Sequence, residues 1–189
     1  MSDRGPKWSP EASSERLKAL VEEPLRAPRV YERMHFLQQF LAEVSFTRRH
    51  SSSMAVLLID VECRGAPSEE GEEEAAFATL GHAIVSAVRA EDMVARFAPE
   101  QFSVLCRATS LEQAGILAER IIRLVDALQL DGEGGGGARL DVSVGIAGFP
   151  EGGAQSADQV LAVAHDAMRQ ARGHVGRRVV IGSRAVDKK

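Results

Sequence analysis

The chain has 189 residues, 44% of them hydrophobic and 26% charged, and a mean hydropathy of -0.12, which fits one domain with an ordinary buried core plus short extensions. A formal net charge of -4 argues against a general nucleic-acid or membrane-surface binder. No apolar run approaches the ~20 residues that span a bilayer, and the polar start lacks the pattern of a signal peptide.

Residues 1–23 read as a polar tail carrying Trp8 and a short helix, Arg16 to Glu23, with Ser13 and Ser14 as capping residues. Pro24 and Pro28 then interrupt the chain. From Val30 to Arg49, apolar residues at Met34, Leu37, Phe40, Leu41 and Val44 recur at helical spacing. Met54 to Asp60 is a continuous apolar run ending on a carboxylate, the pattern of a strand buried on both faces. The acidic run Glu69 to Glu74 reads as a solvated loop. A helix from about Glu73 to Arg89 buries Phe77, Leu80, Ile84 and Val88. Met93 to Phe97 and Phe102 to Arg107 form a β-hairpin over a tight turn. Leu111 to Leu128 is helical, and Asp131 to Gly137 is a glycine-rich loop. Leu140 to Phe149 is a strand, Ala157 to Arg172 a helix and Val179 to Ile181 a last short strand. This order predicts an α/β (α+β) fold with a mixed central β-sheet flanked by helices. The expected layout is a tail over 1–23, one domain over 24–182 and a tail over 183–189. Cys63 and Cys106 are far apart and outside any zinc pattern, and the five histidines lack ligand spacing. Both thiols are expected to be packed in a reducing cytoplasm.

From Asp60 to Arg107, and again in Ala118 to Ile121, Asp141 to Ala147 and Asp166 to Arg172, the sequence resembles the diguanylate cyclase (GGDEF) family. That family joins two GTP molecules into cyclic di-GMP. The resemblance covers roughly residues 24–182 and implies a nucleotidyl-cyclase-like fold whose hairpin carries the signature turn. The family turn reads Gly-Gly-Asp/Glu-Glu-Phe. Its glycines let backbone approach GTP, and its acidic third residue helps hold two magnesium ions. Here the turn reads Ala98-Pro99-Glu100-Gln101-Phe102. Glu100 keeps the metal-ligand position. Ala98 and Pro99 replace both glycines, Pro99 fixes φ and removes an N–H, and Gln101 replaces a carboxylate.

Asp60 starts the family's Asp-x-Asp-x-Phe-Lys-x-x-Asn segment, but the chain continues Val61-Glu62-Cys63-Arg64-Gly65-Ala66-Pro67-Ser68. The lysine and the guanine-reading asparagine are absent. Glu74 falls near the family's second guanine-contacting position, and Arg172 and Arg177 where cations meet the triphosphate. An early Asp-x-Leu-Thr-Gly-Leu element is eroded to Glu23-Pro24-Leu25-Arg26-Ala27-Pro28. Catalysis is therefore expected to be lost, with Asp60 and Glu100 left as a weak residual magnesium pair or as two ordinary carboxylates.

The family's second site, for the product, reads Arg-x-x-Asp before the hairpin. Here it is Arg89-Ala90-Glu91-Asp92, with Arg89 nine positions before Ala98 as the family spaces it. Arg120 falls where a further arginine completes that site. A guanidinium forks onto guanine O6 and N7 or onto a phosphate, and a carboxylate accepts from the Watson–Crick edge of guanine. The expected function is a non-catalytic cyclic di-GMP receptor that needs no cofactor and signals through a protein partner. Its two-faced ligand dimer is able to bridge two copies. The alternatives are a weakly active diguanylate cyclase and a nucleotide-independent interaction scaffold.

Overall fold

The structure, a computed structural model, describes residues 29–64, 72–128, 139–173 and 178–183. The elements run β1 (Val30–Glu32), α1 (Arg33–His50), β2 (Met54–Arg64), α2 (Glu72–Ala87), β3 (Met93–Ala98), β4 (Gln101–Arg107), α3 (Leu111–Ala127), β5 (Arg139–Phe149), a 3-10 turn (Glu151–Gly153), α4 (Ala157–Arg172) and β6 (Val179–Ile181). Six strands form one sheet in the order β1-β3-β4-β2-β5-β6. The two outer pairings are parallel and the inner ones antiparallel, so the sheet is mixed.

The long central strand β2 alternates its side chains between two cores. Ala55, Leu57, Ile59 and Val61 of β2 join Phe77, Leu80 and Ile84 of α2 and Leu117, Ala118 and Ile121 of α3. Met54, Val56 and Leu58 face the other way, onto Phe36, Phe40 and Val44 of α1 and Val160, Ala164 and Met168 of α4. The sheet is thus covered by α2 and α3 on one face and by α1 and α4 on the other.

The expected fold class holds, and four local expectations need correction. Val30–Glu32, expected to begin a helix, instead pairs in parallel with Val94–Arg96. Edge pairing satisfies backbone groups there, and a β-branched and an aromatic residue favour it. Met34 and Leu41, expected in the core stripe of that helix, are 64% and 54% exposed, because Phe36, Phe40, Val44 and Thr47 make the buried face. The second strand does not stop at Asp60: it runs to Arg64, paired along its length with β5. Asp60 therefore lies inside β2. Glu72, expected in the acidic loop, already belongs to α2, one residue before the expected start near Glu73; the acids Glu73 and Glu74 suit the positive end of the helix dipole. The Arg16–Glu23 helix, Trp8, residues 65–71, the 131–137 loop, Arg177 and the tail from 184 lie outside the described residues.

Candidate functional site

Arg89, Asp92 and Arg120 line one cavity of about 310 Å³, although they lie on a loop and on a helix far apart in sequence. Two backbone devices bring them there. The loop from α2 to β3 is closed by Asp92, whose amide donates to the Arg89 carbonyl at 3.1 Å. The Asp92 carboxylate accepts from the Arg89 amide at 3.0 Å and from the Arg107 amide of β4 at 3.2 Å. On the other side, α3 starts in a capping box, with Ser110 accepting from the Gln113 amide and Gln113 accepting from the Ser110 amide. Three turns on, the Arg120 guanidinium donates to the Ala87 carbonyl, one of the carbonyls that a helix leaves free at its C-terminus.

The arginines are exposed and Asp92 is half-buried, while Cys106, Thr109 and Leu117 of the cavity lining are buried. Loss of water raises the Asp92 pKa above its ordinary value, and the two amide donors and the Arg89 charge only partly oppose this. Burial, with the Asp92 charge adding to it, pushes the Cys106 thiol far up, so this thiol is a packed wall rather than a nucleophile. Cys63 is half-buried and also raised, by burial and by Glu73. Sequence reading missed Cys106, Thr109 and Ile116 as lining residues, since none belongs to a motif. Ile116 is 63% exposed beside Arg120, an apolar ledge at the rim.

The hairpin turn is built differently. Ala98 pairs with Gln101 across Pro99 and Glu100, and the register slips between Arg96 and Ala98. Two-residue hairpins favour turns with positive φ, which proline cannot adopt. Among the described residues other than glycine, positive φ occurs at Ser51 and Ala108, not in this turn. The irregularity at Phe97 accommodates the mismatch. Arg96 braces the turn: its Nε donates to the Pro99 carbonyl at 2.9 Å. Its two terminal nitrogens meet the Glu74 carboxylate at 3.1 and 3.2 Å. The same guanidinium lies over the Phe77 and Phe102 rings, 4.5 and 5.5 Å from their centroids. Glu74 is thus committed to an arginine of its own chain.

Asp60 is 5% exposed and has both oxygens engaged. Oδ1 accepts from Gln101 Nε2 at 3.1 Å, and Oδ2 faces Arg172 Nη1 at 3.1 Å. Arg172, more than half exposed itself, thus pairs with a buried carboxylate. Glu100 is exposed at the turn. Among the described residues no group of three or more His, Cys, Asp and Glu is gathered for a metal. With a guanidinium already at Asp60 and an amide in place of the neighbouring carboxylate, the donor set does not fit a magnesium pair.

The family matched by the sequence is described as "Diguanylate cyclase, GGDEF domain", over residues 27–178. No curated protein sequence matches. Among solved structures, the GGDEF domain of YfiN (TpbB) from Pseudomonas aeruginosa is 25% identical, with a TM-score of 0.69 over 84% of this chain and 99% of that one. The diguanylate cyclase SiaD from the same organism, solved with its activator SiaC, is 23% identical, with a TM-score of 0.69 over 91% of this chain and 67% of that one. The GGDEF domain of DgcB from Caulobacter crescentus, solved with c-di-GMP, is 16% identical, with a TM-score of 0.62 over 80% and 91%. The last two likenesses show the fold alone.

Proposed function

The chain belongs to the diguanylate cyclase GGDEF-domain family, and from that premise we propose that it reads cyclic di-GMP without making it. The observation that carries this reading is the single cavity lined by Arg89, Asp92 and Arg120. Two exposed guanidinium groups beside a half-buried carboxylate suit guanine edges and phosphates. A cavity of about 310 Å³ is at the small end of ligand pockets, so it takes part of a dinucleotide and leaves the rest on the surface. A stacked ligand dimer held this way has a second face for another copy. DgcB, with the same fold, is solved with c-di-GMP.

Loss of catalysis is part of the same proposal. Pro99 stands where GTP needs a close backbone, Asp60 is held by Arg172 and Gln101, and Glu74 is held by Arg96. Output through a protein partner is part of the proposal, and SiaD is one diguanylate cyclase solved with a protein activator. Among the described residues no helix is long and apolar enough to cross a membrane.

Calorimetry with cyclic di-GMP tests the proposal. The expected result is binding at micromolar Kd or tighter, weakened at least tenfold by Arg89→Ala and by Arg120→Ala. Incubation with GTP and magnesium should yield no cyclic di-GMP. Turnover lost in Glu100→Ala would establish a residual enzyme instead, and absence of any nucleotide binding would leave an interaction scaffold.

A further inference from the structure

Asp92 is held from outside the cavity as well as from within it. The amide of Arg107 donates to its carboxylate, and the Arg107 side chain is spread over three further partners. Nε donates to Glu43 Oε2 at 2.9 Å, Nη2 to Gln39 Oε1 at 3.3 Å, and Nη1 to the Glu91 carbonyl at 2.8 Å. Glu43 and Gln39 are on α1, which packs on the sheet face away from α2 and α3. Glu91 is inside the Arg89–Asp92 loop. Arg107 closes β4 at the rim of the sheet, where the chain turns into Ala108 at a φ of 46°. One residue therefore ties α1 to the loop on which two of the three proposed ligand contacts sit.

We propose that Arg107 is a positioning residue for the Arg89–Asp92–Arg120 site, and that through Glu43 it makes the affinity of that site depend on α1. This rests on the nucleotide-site reading given above. Arg107 itself does not line the cavity. The Arg107 side chain is two-thirds buried and that of its partner Glu43 is shielded further, at 33% and 12% exposure. A planar fork with several partners is held in one orientation more firmly than an ammonium. Fixing the Glu91 carbonyl and the Arg107 backbone sets where the Asp92 carboxylate points. Pulling Glu43 away frees the fork and lets the loop wander. Linkage makes the effect reciprocal: what α1 does to ligand affinity, ligand does to α1 by the same factor.

The test is a double-mutant cycle on cyclic di-GMP binding by the full chain, with wild type, Glu43→Gln, Arg107→Met and the double variant. Glu43→Gln should weaken binding about threefold or more, although Glu43 lies outside the cavity. Arg107→Met should weaken it about tenfold, and the double variant should bind no more weakly than Arg107→Met alone. Arg107→Lys should recover part of the loss. Strictly additive effects, or a Glu43→Gln variant that binds as wild type does, overturn the proposal. Hydrogen exchange without ligand separates it from the receptor reading. The Arg89 and Arg107 amides, both donors to Asp92, should exchange several-fold faster in Glu43→Gln. Unchanged exchange overturns the proposal even where cyclic di-GMP binds. If wild type takes no cyclic di-GMP, the receptor reading falls alone and the exchange decides on Arg107.

Discussion

At the scale of single residues, the environment of a carboxylate decides its role. Asp60 sits deep, with one oxygen accepting from the Gln101 amide and the other facing the exposed guanidinium of Arg172. Asp92 sits half-buried with only backbone amides as donors, and desolvation raises its pKa. The sign of the resulting pH dependence follows. A raised folded-state pKa means that the native state holds the proton more tightly than the unfolded chain, whose aspartate titrates near ~3.9. As pH rises from that value through the folded-state pKa, the contribution of Asp92 to stability declines. Asp92→Asn cannot ionise, so the stability of wild type minus that of the variant should fall as pH rises from about 4 toward neutrality. Urea unfolding at a series of pH values checks this, and a flat or rising difference would contradict the desolvation account.

At the scale of elements, close approach sets the limits. A Cβ on Gly145 of β5 would lie 2.2 Å from both the Ala164 carbonyl oxygen and the Met168 amide nitrogen of α4. Both are backbone atoms, so neither is able to swing aside. Gly145→Ala should destabilise the fold by about 1–3 kcal/mol, lowering Tm by about 2–4 °C for each kcal/mol. Differential scanning calorimetry would show it, and an unchanged Tm would mean that α4 is free to shift outward. Legibility was uneven at this scale. The ranges 157–172 and 179–181 were readable to the residue, because an amphipathic helix and a β-branched run each carry their own period. Val30–Glu32 was not, because a three-residue edge strand is set by its neighbour β3 rather than by its own pattern. Met34 and Leu41 misled for a related reason. An apolar residue marks a core face only if something packs there, and the packing chose Phe36 and Phe40 instead.

At the scale of the whole molecule, ligand binding and stability are one measurement. If the chain binds cyclic di-GMP, ligand at a hundredfold excess over Kd should stabilise it by about 2.7 kcal/mol. A thermal melt should therefore shift upward in wild type, and by clearly less in Arg89→Ala at the same ligand concentration. A shift of equal size in both would place the ligand elsewhere. The sequence by itself determined the fold class and the family, because periodicity, the order of elements and a run of spaced motifs are local properties that survive in one dimension. It also marked the hairpin turn as altered, since Pro99 and Gln101 are visible as letters. Only the tertiary structure decided what those letters do. Arg172 reaches Asp60 across more than a hundred residues of chain, Arg96 takes Glu74, and Arg107, which belongs to no motif, joins α1 to the Asp92 loop. Such pairings depend on which side chains meet at the rims of a folded sheet, and long-range contact leaves no period in the sequence to read.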